Sequence, residues 1–231
     1  MEQIRNNVLR IRQELAEAAL QAGRRPEEVL LCAASKMNDA DRVRAAVEAG
    51  VDCCGENRVQ ELVQKQPLGA YGSKPVHFIG HLQTNKVGKV VGAVSLIQSV
   101  DRRELLACIQ KTAAARGLVQ DILLEINIGQ EASKSGFSPR EALELAAEMD
   151  TFANVRLRGL MAIPPAAKIS GGNRRFFAEM RQLAVDISSK TYDNVSMDHL
   201  SMGMSDDFRD AIAEGSTMVR IGTGIFGARN Y

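Results

Sequence analysis

The sequence predicts a single closed α/β barrel of the (β/α)8 TIM type, and three observations predict it. Short apolar or β-branched runs alternate eight times with segments of helical period along the 231 residues. No long linker or composition shift interrupts them, so 1–231 reads as one domain. The glycine-rich IGTGIFG at 221–227 follows the eighth unit, where barrels bind phosphate. The runner-up, an open doubly wound sheet, is weakened because no GxGxxG fingerprint follows a first strand.

An extra helix over 2–22 precedes the eight units, because MEQIRNNVLRIRQELAEAAL spaces its apolar residues at helical intervals between charges. The first strand, VLLCAAS at 29–35, is bounded by Pro26 and by Asn38-Asp39, and its helix over 39–49 ends at Gly50. The second strand spans 51–54 with a helix over 56–66. The third spans 75–80 with a helix over 84–91, and the fourth 95–100 with a helix over 102–116 that stops at Gly117. The fifth, VQDILLEIN at 119–127, is the clearest, and Ser138-Pro139 starts its helix over 138–149. The sixth spans 155–163, leading through Pro164-Pro165 to a helix over 173–190. The seventh spans 195–202, with a helix over 206–214 capped at Ser205, and the eighth spans 217–222.

Composition argues against several functions. Lys plus Arg is 29 against 28 for Asp plus Glu, no charge block stands out and there is no Trp, which argues against nucleic acid. The N-terminus is not a signal peptide, and no apolar run reaches membrane-spanning length. Cys32, Cys53, Cys54 and Cys108 make no metal-type spacing and fit reduced thiols in the cytoplasm.

Barrel active sites lie at the C-terminal ends of the strands. Here those ends carry amides, hydroxyls and glycines, with no carboxylate pair and no His/Asp/Glu metal spacing. Lys36 ends the first strand. Such a lysine is usually solvated, but one held where water is scarce has a lowered pKa and becomes a nucleophilic amine. At the other end of the chain, Gly222, Thr223 and Gly224 place backbone amides at the start of a short final helix, flanked by Ser201 and Gly203 after strand seven. These form an anion cradle, unless the glycines only permit a tight turn. Arg220 shares a strand face with Gly222 and needs an acceptor if it points inward: either a structural partner such as Glu125 or a ligand. His81 follows Gly80 at the rim, whereas His77 and His199 read as strand residues. Lys134 lies in a loop that can reach the mouth. Closure sets strand one beside strand eight, so an amine stands next to a phosphate cradle. Two classes qualify: a sugar-phosphate aldolase, or a protein of pyridoxal 5'-phosphate (PLP).

Eight segments carry a resemblance: AASK (33–36), GENRVQE (55–61), HFIGHLQTNK (77–86), SVD (99–101), KSGF (134–137), GLMAI (159–163), LSMGMSDDF (200–208) and VRIGTGIFG (219–227). In this order and over almost the whole chain they resemble the PLP homeostasis proteins, whose barrel is like the N-terminal domain of alanine racemase. The resemblance implies that Lys36 holds PLP as a Schiff base and that Ser201, Gly222 and Thr223 bind its phosphate. It also implies that Arg220 faces the pyridine nitrogen and that Asn57 lines the ring. Asn38, where members often carry a second lysine, and Val76, where tryptophan is common, bear on a secondary PLP site and not on this one. The implied function is PLP and vitamin B6 homeostasis without strong turnover, the closing second domain of racemases being absent. The alternative is a PLP-dependent amino-acid racemase-like enzyme. The expected partners are PLP itself and, transiently, PLP-dependent apoenzymes, with the chain a monomer.

Overall fold

The computed structural model describes residues 1–131, 134–165, 169 and 171–228. Eight parallel strands close in chain order: β1 (Leu30–Ala34), β2 (Cys53–Glu56), β3 (Val76–Phe78), β4 (Leu96–Val100), β5 (Gln120–Ile126), β6 (Val155–Ala162), β7 (Val195–Ser201) and β8 (Met218–Ile221). Closure is made by β8 against β1, with Cys32 opposite Arg220 and Ala33 opposite Ile221. The predicted (β/α)8 barrel is therefore the fold.

The outer ring contains α2 (Ala40–Glu48), α3 (Val59–Lys65), α4 (Arg103–Ala115), α5 (Pro139–Ala147), α6 (Arg174–Ser188), α7 (Phe208–Ala213) and the single turn α8 (Thr223–Phe226). Because α8 is so short, it leaves a gap beside α2. The N-terminal helix α1 (Glu2–Gln21) fills this gap, packing on α7, α8 and α2. Its Ile4, Val8, Ile11, Leu15 and Ala19 are buried along one face, as the sequence spacing requires. Asn7 Nδ2 donates to Ile225 O at 2.8 Å, and Arg42 donates to Phe226 O, so neighbours hold the end of α8. The extra helix is thus the eighth outer layer.

Caps account for several starts. Asp39 accepts from Arg42 N at 2.8 Å at the start of α2, and Ser138 with Glu141 forms a capping box on α5. Three expectations need correction. The second strand is shifted from 51–54 to Cys53–Glu56, because Asp52 instead accepts from Leu31 N at 2.7 Å, and pairing to both neighbours draws Gly55 and Glu56 into the ladder. The segment after β3 is a 3-10 helix, Thr84–Lys89, with Gly88 inside it, rather than an α-helix over 84–91. Ser205 does not cap α7: Asp207 Oδ1 accepts from Met204 N at 2.7 Å, and the Ser205 hydroxyl turns toward α8.

Apolar side chains fill the barrel in two layers. Most lie between strands and helices, and a smaller interior set comprises Cys32, Cys53, Leu96, Leu123, Met161 and Met218. Strands β6 and β7 approach closely at Gly159 (φ +145°), where an added Cβ would lie 1.8 Å from His199 O.

Candidate functional site

Lys36 follows β1 and is half-buried. It lines a cavity of about 200 Å³ with Ala34, Met37, Asn38, Arg42, Gly222 and Thr223. The strand register predicts this meeting, since Ala33 opposite Ile221 sets the next residues of both strands side by side. The amine and the glycine-rich turn are thus walls of one cleft.

The turn that carries Lys36 is built by a buried polar network. Glu56, fully buried at the end of β2, accepts from Ser35 Oγ at 2.6 Å, Lys65 Nζ at 2.9 Å and Tyr71 Oη at 3.1 Å. Lys65 Nζ also donates to Ser35 O at 2.9 Å and to Glu61 Oε2 at 2.8 Å. Glu61 Oε2 then accepts from the backbone N–H of Met37 at 2.7 Å. Burial next to Glu56 pushes the Tyr71 phenol well above its usual range, so it stays a hydrogen-bond donor. Sequence reading missed this network. Its one visible signal is the i,i+4 pair Glu61–Lys65 on α3.

At the cradle, Gly222 caps α8, and Gly224 N donates to Ser205 Oγ at 3.2 Å. Thr223 Oγ1 is 3.1 Å from the same hydroxyl. Ser205 is therefore a member of the cradle that sequence reading assigned elsewhere. Ser201 is fully buried and turned inward, where its hydroxyl donates to Gln98 Oε1 at 2.6 Å.

Arg220 faces the barrel interior and is 4 % exposed. Nη1 donates to Ser201 O at 2.7 Å and Ser201 Oγ at 2.6 Å, and Nη2 donates to Ala162 O at 2.9 Å. Three hydrogen bonds leave two of its five N–H groups for a further acceptor. Burial lowers its pKa, but a guanidinium stays charged. Of the two alternatives for Arg220, the ion pair with Glu125 does not form; these neutral oxygens hold the guanidinium instead.

A second cavity of about 290 Å³ is lined by Asn57, Gly80, His81, Glu125, Asn127 and Lys134 among others. Asn57 Oδ1 is buried without a hydrogen-bond partner. Burial, with a smaller contribution from Asp101, raises the Glu125 carboxyl to about 7, against the pull of Arg220. His81 is exposed and pairs through Nδ1 with Asp101 at 3.0 Å, while Lys134 pairs with Glu131. Lys36, Gly222 and Thr223 thus line one cavity, Asn57 lines the second, and Arg220 and Ser201 are bonded to each other in the barrel interior. Of the other histidines, His77 meets Gln98 at 2.9 Å within the barrel, and His199 on β7 is half-buried with its pKa lowered by burial.

These residues fit a planar cofactor with an aldehyde and a phosphate. The amine and the amide cradle share a cleft, a buried cation with spare donors faces inward, and the orphaned Asn57 oxygen awaits a donor. The chain is 41% identical over 222 residues to the "pyridoxal phosphate homeostasis protein" of Aquifex aeolicus, covering 96% of each. It is 42% identical over 236 residues to that of Escherichia coli K12, covering 100% of this chain and 99% of the other. The structure of PipY from Synechococcus elongatus with PLP bound superposes with a TM-score of 0.79 at 32% identity, covering 92% of this chain and all of that one. The model of the alanine racemase N-terminal domain matches residues 1–230, and with barrel, rim and relatives in agreement the chain belongs to that family.

Proposed function

We propose that this chain binds pyridoxal 5'-phosphate at the barrel mouth and serves PLP homeostasis, holding the cofactor more than using it. The observation that carries the reading is the shared cleft of Lys36, Gly222 and Thr223. Lys36 would hold the aldehyde carbon, while the turn at Gly222 and Thr223 would donate to the phosphate, with Ser205 and Ser201 shaping its surroundings. Asn57 would line the ring, and Arg220 would donate toward the pyridine nitrogen. Bound PLP supplies an electron sink for carbanion chemistry. A permanent cation beneath the nitrogen keeps that nitrogen unprotonated and weakens the sink, which favours a carrier over a racemase. Every residue of the site comes from one chain, so a monomer suffices, and delivery to PLP-dependent apoenzymes in the cytoplasm completes the reading.

The test is borohydride reduction of the PLP-loaded protein followed by peptide mass spectrometry. One pyridoxyl adduct on Lys36 is expected, and Lys36→Ala should lose both adduct and visible absorbance. A colourless wild type, or an adduct confined to another lysine, sinks the reading. Turnover of L- or D-amino acids faster than with free PLP, lost in Lys36→Ala, would shift it to the racemase-like enzyme.

A further inference from the structure

We infer that Cys32, Cys53 and His77 form a binding site for a soft monovalent cation, Cu(I), inside the barrel and separate from the mouth. One ligand atom from each of the three lies within 4.8 Å of the others. The residues are 0 %, 2 % and 6 % exposed. Cys32 and Cys53 are register partners on β1 and β2, and His77 comes from β3 opposite Gly55. Because three strands contribute one ligand each, no spacing in the sequence reveals the group.

Charge and surroundings select the ion. The two cysteines pack with Leu96, Leu123, Met161 and Met218, a wall of carbon and thioether sulfur. Thiolates in such a setting select Cu(I), whereas zinc takes four ligands in tetrahedral array. Cys32 is also the register partner of Arg220, whose guanidinium is bonded only to the neutral oxygens of Ser201 and Ala162. Two thiolates with one monovalent cation carry a single negative charge, which balances that buried guanidinium; a divalent ion would leave it unbalanced.

Both cysteines bind as thiolates, and the thiol protons they carry pass to solvent on binding. His77 Nδ1 meets Gln98 Nε2 at 2.9 Å, which leaves Nε2 as the ligating nitrogen. Ligation there puts the ring proton on Nδ1, so the Gln98 amide turns to present its oxygen, and its NH2 group then donates to Ser201 Oγ in place of the present Ser201-to-Gln98 hydrogen bond.

The site is sealed, so the ion enters as the chain folds. The full-length chain is unfolded and refolded anaerobically with Cu(I) and a chromophoric Cu(I) chelator as competitor, and sulfur ligation is read by X-ray absorption. One retained Cu(I) per chain, bound by two sulfurs and one nitrogen, is expected. Cys53→Ser should weaken retention by at least about tenfold, and Cys108→Ser should leave it unchanged. If Cys53→Ser does not refold by circular dichroism, His77→Gln serves instead and must lose the nitrogen and the same tenfold. Copper that all passes to the chelator, or that follows Cys108 rather than Cys53 and His77, overturns the inference.

Discussion

Met37 occupies the left-handed region (φ 60°) with its N–H held by Glu61 Oε2 at 2.7 Å, so the residue after Lys36 is fixed by a side chain from α3. A non-glycine residue there stores backbone strain, on the order of 1 kcal/mol or more. It persists because Glu61 is itself tied to the buried Lys65. The strained turn positions Lys36 at its cleft. Glu61→Ala is therefore expected to weaken PLP retention by roughly tenfold and stability by about 1–3 kcal/mol. Equilibrium dialysis and urea unfolding measure the two effects. Retention equal to wild type would show that the turn holds its shape without this anchor.

Glu56→Gln should be more costly to the fold. Glu56 is 0 % exposed, and Lys65 is 6 % exposed with its ammonium between Glu56 and Glu61. Removing one carboxylate leaves a buried cation half compensated, a loss on the order of 3 kcal/mol. Lys65→Met in the same background should restore part of it, because the uncompensated charge goes with the lysine. If the double variant is no more stable than Glu56→Gln, the cost lies in packing rather than charge.

The barrel was legible from periodicity because most of its strands are short runs with many buried apolar residues, and because α2 and α5 start on caps visible in the sequence. Lys36, Gly222 and Thr223 were legible as neighbours because closure of eight strands sets their positions. What stayed hidden depends on tertiary partners. Glu56 looks like a loop acid until Lys65 and Tyr71 converge on it. Ser205 looks like a helix cap, since nothing local says that its hydroxyl turns toward α8. Ser201 reads as a rim hydroxyl, although Gln98, 103 positions away, draws it inward. Asp52 displaced the start of β2 in the same way, by accepting from Leu31 N on β1.

Glu125 gives the mouth a pH dependence with a definite sign. Its carboxyl is raised to about 7 in the fold, against roughly 4.3 unfolded. Between those values the unfolded chain has released the proton and the folded chain keeps it, so stability falls as pH rises through that window. The full contribution is on the order of 3 kcal/mol. Glu125→Gln cannot ionise and should lose less stability than wild type between pH 5 and pH 8. Urea unfolding at the two pH values measures the difference, and equal losses would mean that Glu125 titrates like an exposed carboxylate.

Gly80→Ala separates steric need from backbone freedom at the rim. Gly80 lies just beyond β3 against Asn57, and an added Cβ would stand 2.2 Å from Asn57 O and 2.6 Å from its Cα. Both are main-chain atoms, so no rotamer change relieves the clash, and the loop after β2 must move. A loss of about 2–3 kcal/mol is expected, together with weaker PLP binding because Asn57 is displaced from the cavity. Gly69 is the control. It has φ +64° with nothing within 4 Å of an added Cβ, so Gly69→Ala should cost only about 1 kcal/mol and leave binding intact. Melting both variants with and without PLP distinguishes the two cases. If Gly80→Ala keeps wild-type affinity, the backbone contact between these strand ends serves the fold and not the position of Asn57.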